Sequence, residues 1–159
     1  MKNILLLLFF IGFSFVKSQN TYEEIIQNDH KEYIGDINKK AKIKVVFDSV
    51  SLEKKDLEIY KVSGNSDVEG SKAKFSGTIN FNDKKTKELN NSSFRVYDFR
   101  FFEDGTGKHN GVFSGNMIFK ILSEKIIIIG FEGFWENYEK SLKFPVYFDN
   151  TNVILKNNS

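Results

Sequence analysis

The sequence predicts an all-β fold, an antiparallel meander of about eight strands that forms a small barrel, with a possible short N-terminal helix. Apolar residues recur at every second position from Tyr33 to Phe148, which is the period of a strand with one buried face. Short turn-forming sequences separate these runs. The chain has no Cys but 17 Phe, so packing alone must hold an exported domain of this length together.

The first 18 residues have the features of an export signal. Lys2 precedes an apolar run at 4–16, and small side chains precede Gln19, where we expect cleavage. The apolar run of about 13 residues is shorter than the roughly 20 needed to span a bilayer. We therefore expect an exported protein, periplasmic or secreted, without a stable membrane anchor. The alternative is an uncleaved N-terminal anchor.

Charge balance argues against a nucleic-acid partner. The chain has 23 Lys and Arg against 21 Asp and Glu, and removal of Lys2 and Lys17 with the signal leaves the two signs equal. A neutral protein has no overall attraction to nucleic acid or anionic membranes. The predicted organisation is a signal at 1–18, an N-terminal segment at 19–32, one barrel domain at 33–149 and a tail at 150–159. We expect a monomer.

The possible helix lies in the N-terminal segment. Thr21 followed by Glu24 has the spacing of a capping box, and Tyr22, Ile25 and Ile26 form a short apolar stripe. From residue 33 onward the period changes from that of a helix to that of a strand. The predicted strands lie at 33–37, 43–47, 57–62, 72–81, 94–102, 111–122, 125–135 and 142–148, with turns at 63–65 and 137–141 and a loop at 82–93.

Glycines interrupt three of the apolar strand faces. Gly77, Gly115 and Gly133 stand where a core side chain would otherwise point inward, and a sheet that closes needs such points of tight bend. Closure also removes exposed edges. Pro145 predicts that the last strand is an edge or lacks one partner hydrogen bond.

Five short motifs follow one another in a fixed order. They are Tyr33-Ile34-Gly35-Asp36-Ile37, Gly77-Thr78-Ile79, Gly111-Val112-Phe113-Ser114-Gly115, Gly133-Phe134-Trp135 and the strand at 142–148 with Pro145. This order resembles a group of small exported bacterial β-barrel domains of lipocalin-like shape. The resemblance implies a fold and a compartment. It carries over no catalytic residue, because most such domains have no assigned activity.

No motif indicates catalysis, a metal or a cofactor. Cys chemistry is excluded, and His30 and His109 lack partners at a metal-binding spacing. The sequence Gly105-Thr106-Gly107-Lys108 resembles a phosphate loop only superficially, because a strand follows it where a phosphate loop needs a helix N-terminus. We expect no enzyme activity.

Three residues are candidate ligand-binding positions: Asp98, Arg100 and Trp135. Asp98 and Arg100 share one face of their strand with Phe94, Val96 and Phe102. If that face points into the barrel, the charged pair must be compensated or meet a ligand; if it points outward, it is an ordinary surface pair. Trp135 fits the core, and an exposed ring would instead suggest a binding platform.

Three functional hypotheses remain open. The leading one is a non-enzymatic exported barrel that binds a small apolar ligand in its mouth or another envelope protein. The second is an inhibitor of a cell-wall enzyme, acting through the loops at 82–93 and 103–110. The third is a hydrolase that uses Glu132 and Glu136, because glycosidases act with paired carboxylates.

Overall fold

The computed structural model describes residues 21–123 and 126–151. Each strand pairs antiparallel with its sequence neighbours, and the first strand pairs with the last, which closes the barrel. The elements are α1 (Tyr22–Gln27), β1 (Tyr33–Ile37), β2 (Ala41–Lys54), β3 (Ile59–Val68), β4 (Ser71–Phe81), α2 (Asp83–Glu88), β5 (Phe94–Glu103), β6 (Gly111–Ser123), β7 (Ile126–Asn137) and β8 (Lys143–Asp149). The predicted meander is confirmed. The predicted signal and most of the tail lie outside the described residues.

The predicted N-terminal helix is confirmed, together with its capping box. The Thr21 hydroxyl accepts a hydrogen bond from the Glu24 backbone N–H at 3.3 Å, and the Glu24 carboxylate accepts one from the Thr21 N–H at 3.1 Å. Ile26 is fully buried against the barrel. The Tyr33 hydroxyl donates to the Ile26 carbonyl at 2.7 Å. These contacts hold α1 against one end of the barrel.

Aromatic rings occupy the barrel interior. Phe131 stacks on Phe148 with 4.8 Å between ring centroids, and Phe75 stacks on Phe101 at 5.0 Å. Tyr33 meets Phe131 edge to face at 5.3 Å. All five side chains are buried. The middle of the barrel is therefore a packed core of the kind that small barrels form.

The prediction that glycines mark points of tight bend is confirmed most clearly in the pairing of β6 with β7. Gly115 and Gly133 face each other in the register. A Cβ atom on Gly115 would lie 2.1 Å from the Glu132 carbonyl oxygen, and one on Gly133 would lie 2.1 Å from the Ser114 carbonyl oxygen. The two backbones approach too closely for any side chain, which lets the sheet bend there.

Two predicted connections are wrong. The turn expected at 63–65 is part of β3, which runs on to Val68, because Gly64 pairs with both Phe47 and Phe75. The chain reverses instead at Gly70, which has a positive φ of 93° and whose N–H donates to the Asp67 carboxylate.

The loop expected at 82–93 contains helix α2. Asn82 caps this helix by accepting a hydrogen bond from the Lys85 N–H at 2.9 Å. Of the two alternatives for Pro145, the edge strand is wrong, because β8 pairs with β7 on one side and β1 on the other. Pro145 lies just beyond the β1 ladder, and its carbonyl accepts from the Asn38 N–H.

Candidate functional site

Strand β5 turns the opposite face inward from the one that carries Asp98 and Arg100. Asp98 has a side chain that is 47% exposed, and Arg100 is exposed as well. The alternative that placed this charged pair inside the barrel is therefore wrong. The inward row consists of Arg95, Tyr97, Phe99, Phe101 and Glu103. It carries a charge at each end.

Asp98 does not pair with Arg100. Its carboxylate accepts hydrogen bonds from Lys85 Nζ at 2.6 Å and from Asn82 Nδ2 at 2.7 Å. Lys85 Nζ also donates to Asn116 Oδ1 at 2.6 Å. These contacts fix α2 on the outer face of β5 and β6, so Asp98 anchors this helix.

Trp135 lies in the core, as the sequence indicates, near the end of the barrel opposite α1. It stacks on Phe144 with planes 3° apart, and its Nε1–H donates to Glu103 Oε2 at 2.9 Å. Glu103 is only 6% exposed. It also accepts from the Ser66 hydroxyl at 2.8 Å and from the Gly111 N–H at 3.0 Å. One buried carboxylate thus links β5 with β3, β6 and β7.

The opposite mouth contains an ion pair in an aromatic setting. Arg95 Nη2 donates to both oxygens of Glu58, at 2.6 and 2.7 Å, and Nη1 donates to the Tyr22 hydroxyl at 3.2 Å. The guanidinium carbon lies 4.5 Å from the Phe81 ring centroid and 5.8 Å from that of Tyr97. Arg95 Nε is buried and has no hydrogen-bond partner among residues 21–123 and 126–151. Since Tyr22 belongs to α1, this helix is part of the mouth.

Two tyrosines in this mouth stay neutral at physiological pH. Burial and, to a smaller extent, the nearby Glu58 carboxylate raise the pKa of Tyr60 to about 12. Burial also raises the pKa of Tyr97 well above its usual range. The Tyr97 hydroxyl is therefore a donor, and it donates to Glu58 at 3.1 Å. Both phenols hold their protons more tightly in the folded chain than in the unfolded one.

Alkaline unfolding should reveal the raised pKa of Tyr60. Because its folded pKa exceeds the unfolded value of 10.0, its contribution is fully present below pH 10 and is lost as the pH rises toward 12. We expect Tyr60→Phe to shift the alkaline unfolding midpoint, followed by circular dichroism, to higher pH. Tyr22→Phe, at a tyrosine of the same mouth, is the comparison. Equal midpoints for wild type and Tyr60→Phe would contradict the assignment.

Arg100 contributes to a groove on the outer surface of the barrel. The groove encloses about 190 Å³ and lies over β5, β6 and β7. The Arg100 guanidinium lies 5.1 Å from the Phe102 ring centroid. We call this the outer groove; its lining includes Arg100, Phe102, Val112, Ser114, Glu136 and Tyr138.

The outer groove is part of a wider aromatic face. Phe102 is 42% exposed and Phe134 is 48% exposed, although both are large apolar side chains. The Lys143 ammonium lies 5.0 Å from the Phe134 ring centroid. We call the outward side of β5–β8 the aromatic face; its exposed rings are Phe102, Phe134, Tyr138 and Tyr147.

The carboxylates of the hydrolase hypothesis both lie on the outward side of β7. Glu132 and Glu136 are four residues apart, which separates their Cα atoms by about 13 Å at the rise of a strand. To reach the roughly 5–9.5 Å between the carboxyl groups of glycosidases, both side chains would have to lean toward each other. Glu136 instead faces Lys143, with 3.8 Å between Oε1 and Nζ.

Within residues 21–123 and 126–151, no three His, Asp or Glu side chains are grouped as metal ligands. His30 Nδ1 lies 3.1 Å from the Phe47 carbonyl oxygen.

No helix among residues 21–123 and 126–151 combines the length and apolarity needed to cross a membrane.

Comparison of the chain with protein-family models, curated proteins and solved structures found no match in any of the three. The fold implied by the lipocalin-like resemblance is confirmed by the closed eight-stranded barrel. Membership of that bacterial group stays a prediction. Only the geometry of the molecule therefore bears on its function.

The residues that sequence reasoning missed are Arg95 and Glu103. A signal for them was present, since their row contains Tyr97, Phe99 and Phe101, three aromatic residues in alternation. The other row contains only Phe94 and Phe102 as aromatic residues. Weighing the two rows by aromatic content would have placed Arg95 and Glu103 inside.

Proposed function

We propose that this chain is an exported bacterial protein without enzyme activity that binds another protein of the cell envelope through its aromatic face. The observation that carries the proposal is that aromatic rings fill the barrel interior and other aromatic rings are exposed on one side of its outer surface. Rings such as Phe131 and Phe148 fill the interior, whereas Phe102 and Phe134 are exposed on one side of the barrel. Contiguous exposed apolar surface marks interaction sites in soluble proteins.

The composition of the aromatic face suits a protein interface. Interface cores are enriched in Tyr, Phe and Arg, and the face combines Phe134 and Tyr147 with Arg100. Burying a fully exposed Phe side chain contributes about 1.5–3 kcal/mol, and each half-exposed ring of the face would contribute about half of that. A few aromatic and Arg residues carry most of the binding energy of a typical interface.

Binding of a small apolar ligand in the barrel mouth is less well supported. The mouth beside α1 is occupied by the charged Arg95–Glu58 pair, and an apolar ligand offers no compensation for these charges. The inhibitor hypothesis places its contact on the loops at 82–93 and 103–110 rather than on the aromatic face, and it stays a prediction.

Site-specific photo-cross-linking in the source cells tests the proposal. A photoreactive phenylalanine at position 102 or 134 should give the same protein adduct, because both positions lie on the aromatic face. The control is position 61, an exposed lysine on β3. The double substitution Phe102→Ala and Phe134→Ala should weaken binding of the identified partner about tenfold or more.

Two outcomes would contradict the proposal. One is an adduct of equal yield from position 61, which would indicate random encounter. The other is unchanged partner affinity in the double variant, measured on purified proteins whose thermal melting matches that of the wild type. If the partner is a cell-wall enzyme whose activity falls on binding, the protein is an inhibitor that acts through the aromatic face rather than through the loops at 82–93 and 103–110.

A further inference from the structure

We propose that the outer groove binds an acidic segment of the partner protein, in which a carboxylate lies beside an apolar side chain. This assignment rests on the proposed function for the identity of its occupant. The chemistry of recognition follows from Arg100 and from the walls of the groove. The apolar part of the occupant would contact Phe102 and Val112.

Arg100 is a cation without a counter-charge in the described part of the chain. No carboxylate among residues 21–123 and 126–151 forms an ion pair with it, nor with Lys140 on the same groove. Glu136 also lines the groove, but Lys143 lies 3.8 Å from it and offsets its charge. The lining of the groove therefore has two cationic side chains, Arg100 and Lys140, against one carboxylate, Glu136. This favours an anionic occupant.

The Arg100 guanidinium lies against one wall of the groove, 5.1 Å from the Phe102 ring centroid. The Arg100 backbone pairs with Thr78 on one side and with Ser114 on the other. A guanidinium offers N–H groups in a planar fork that matches the two oxygens of a carboxylate. Arg100 is therefore suited to a two-point contact with a carboxylate.

Another wall of the groove is formed by Tyr138, which a hydrogen bond holds in place. The Tyr138 hydroxyl donates to the Glu103 backbone carbonyl, which ties the ring to the end of β5. Asn137 organises the turn that carries Tyr138, since its side-chain oxygen accepts from the Leu142 N–H at 3.0 Å. At about 190 Å³ the groove has the volume that roughly six molecules occupy in liquid water. That volume suits side chains rather than a larger body.

A phosphate-rich polymer fits this groove less well than an acidic peptide. Binding to nucleic acid depends on many Lys and Arg contacts along a backbone, whereas the groove offers Arg100 and Lys140 between ring walls. A polypeptide supplies both the single charge and the apolar neighbour.

Nuclear magnetic resonance with two matched probes tests the recognition chemistry. The probes are N-acetyl-L-phenylalanine, which has a carboxylate, and N-acetyl-L-phenylalaninamide, which replaces it by a neutral amide. We expect the carboxylate probe to shift the Arg100 Nε–H signal and the amides of Phe102 and Ser114. The amide probe should bind at least tenfold more weakly. Arg95, which is engaged by Glu58, supplies a guanidinium signal that stays unchanged.

Substitution of Arg100 completes the test. Arg100→Gln should weaken the carboxylate probe at least tenfold, and Arg100→Lys should restore only part of the affinity. Lys61→Gln on β3 should leave it unchanged. Because Arg100 is exposed, the variants should keep the wild-type melting temperature. Equal binding of the two probes, or full binding by Arg100→Gln, would overturn the proposal.

The same variants separate this inference from the proposed function. If the partner still cross-links from position 134 in Arg100→Gln with unchanged yield, the aromatic face binds a partner but the carboxylate assignment is wrong. If the carboxylate probe binds but no adduct forms, the proposed function is wrong while the groove chemistry stands. The cross-linked peptide should contain Asp or Glu within a few residues of the adduct; a peptide without acidic residues would also overturn the assignment.

Discussion

Replacement of Phe131 by Ala is expected to lower the free energy of unfolding by about 3–5 kcal/mol. The Phe131 ring has no exposed surface. It stacks on Phe148 at 4.8 Å and meets Tyr33 and Phe99 edge to face at 5.3 and 5.4 Å. The strands of a closed barrel cannot move inward freely to fill the gap. The variant therefore loses both the burial of the ring and the contacts around it.

The neighbouring Phe134 supplies the matched control. It lies on the same strand with its side chain on the outer surface, so Phe134→Ala should change stability by no more than about 0.5 kcal/mol. Urea unfolding followed by circular dichroism measures both variants. If Phe131→Ala does not fold, Phe131→Leu should fold with a smaller loss. Equal midpoints for the two alanine variants would contradict the inward orientation of Phe131.

Replacement of Trp135 by Ala should also cost about 3–5 kcal/mol. The indole stacks on Phe144 and is 7% exposed. The substitution also removes one of the three donors to the buried Glu103 carboxylate. A buried acceptor that loses its partner is costly. A melting temperature that stays at the wild-type value would instead indicate an exposed ring.

Trp135→Phe separates packing from hydrogen bonding. This variant keeps an aromatic ring but loses the Nε1–H donor, and we expect a loss of about 1–3 kcal/mol. Combined with Glu103→Gln, it should show a smaller effect than the sum of the single variants, because the two residues share one hydrogen bond. Additive losses would show that the bond contributes nothing to stability. Asp104→Asn, next to Glu103 and exposed, is the control.

Much of the fold was predictable because it depends on local patterns. The two-residue alternation defines the strands, and Thr21 with Glu24 defines the start of α1. The glycine pair Gly115 and Gly133 indicated the bend. The sequence did not predict helix α2, because its residues form no apolar stripe. It is held instead by Lys85 on Asp98, a contact between residues that are distant in sequence.

The candidate site was harder to predict because β5 carries aromatic residues on both faces. The aromatic count of the two rows favours one face, and pairing with β6, which places Phe101 opposite Phe113, fixes that face as the inward one. The burial of Glu103 depends on donors from three other strands, and no local pattern reveals them. The outer groove likewise combines Arg100 with Tyr138, which the sequence separates by 38 positions.

The two inward charges of β5 also set the alignment of the sheet. A slip of one residue would turn Tyr97 and Phe101 to solvent. A shift of the β5 register by two residues would keep Tyr97 and Phe101 inside. In one direction it would place Arg95 among the aromatic rings, and in the other it would move Glu103 away from Trp135. Either shift would leave a buried charge without compensation. Arg95 and Glu103 therefore disfavour a shifted register of β5 at both ends of the barrel.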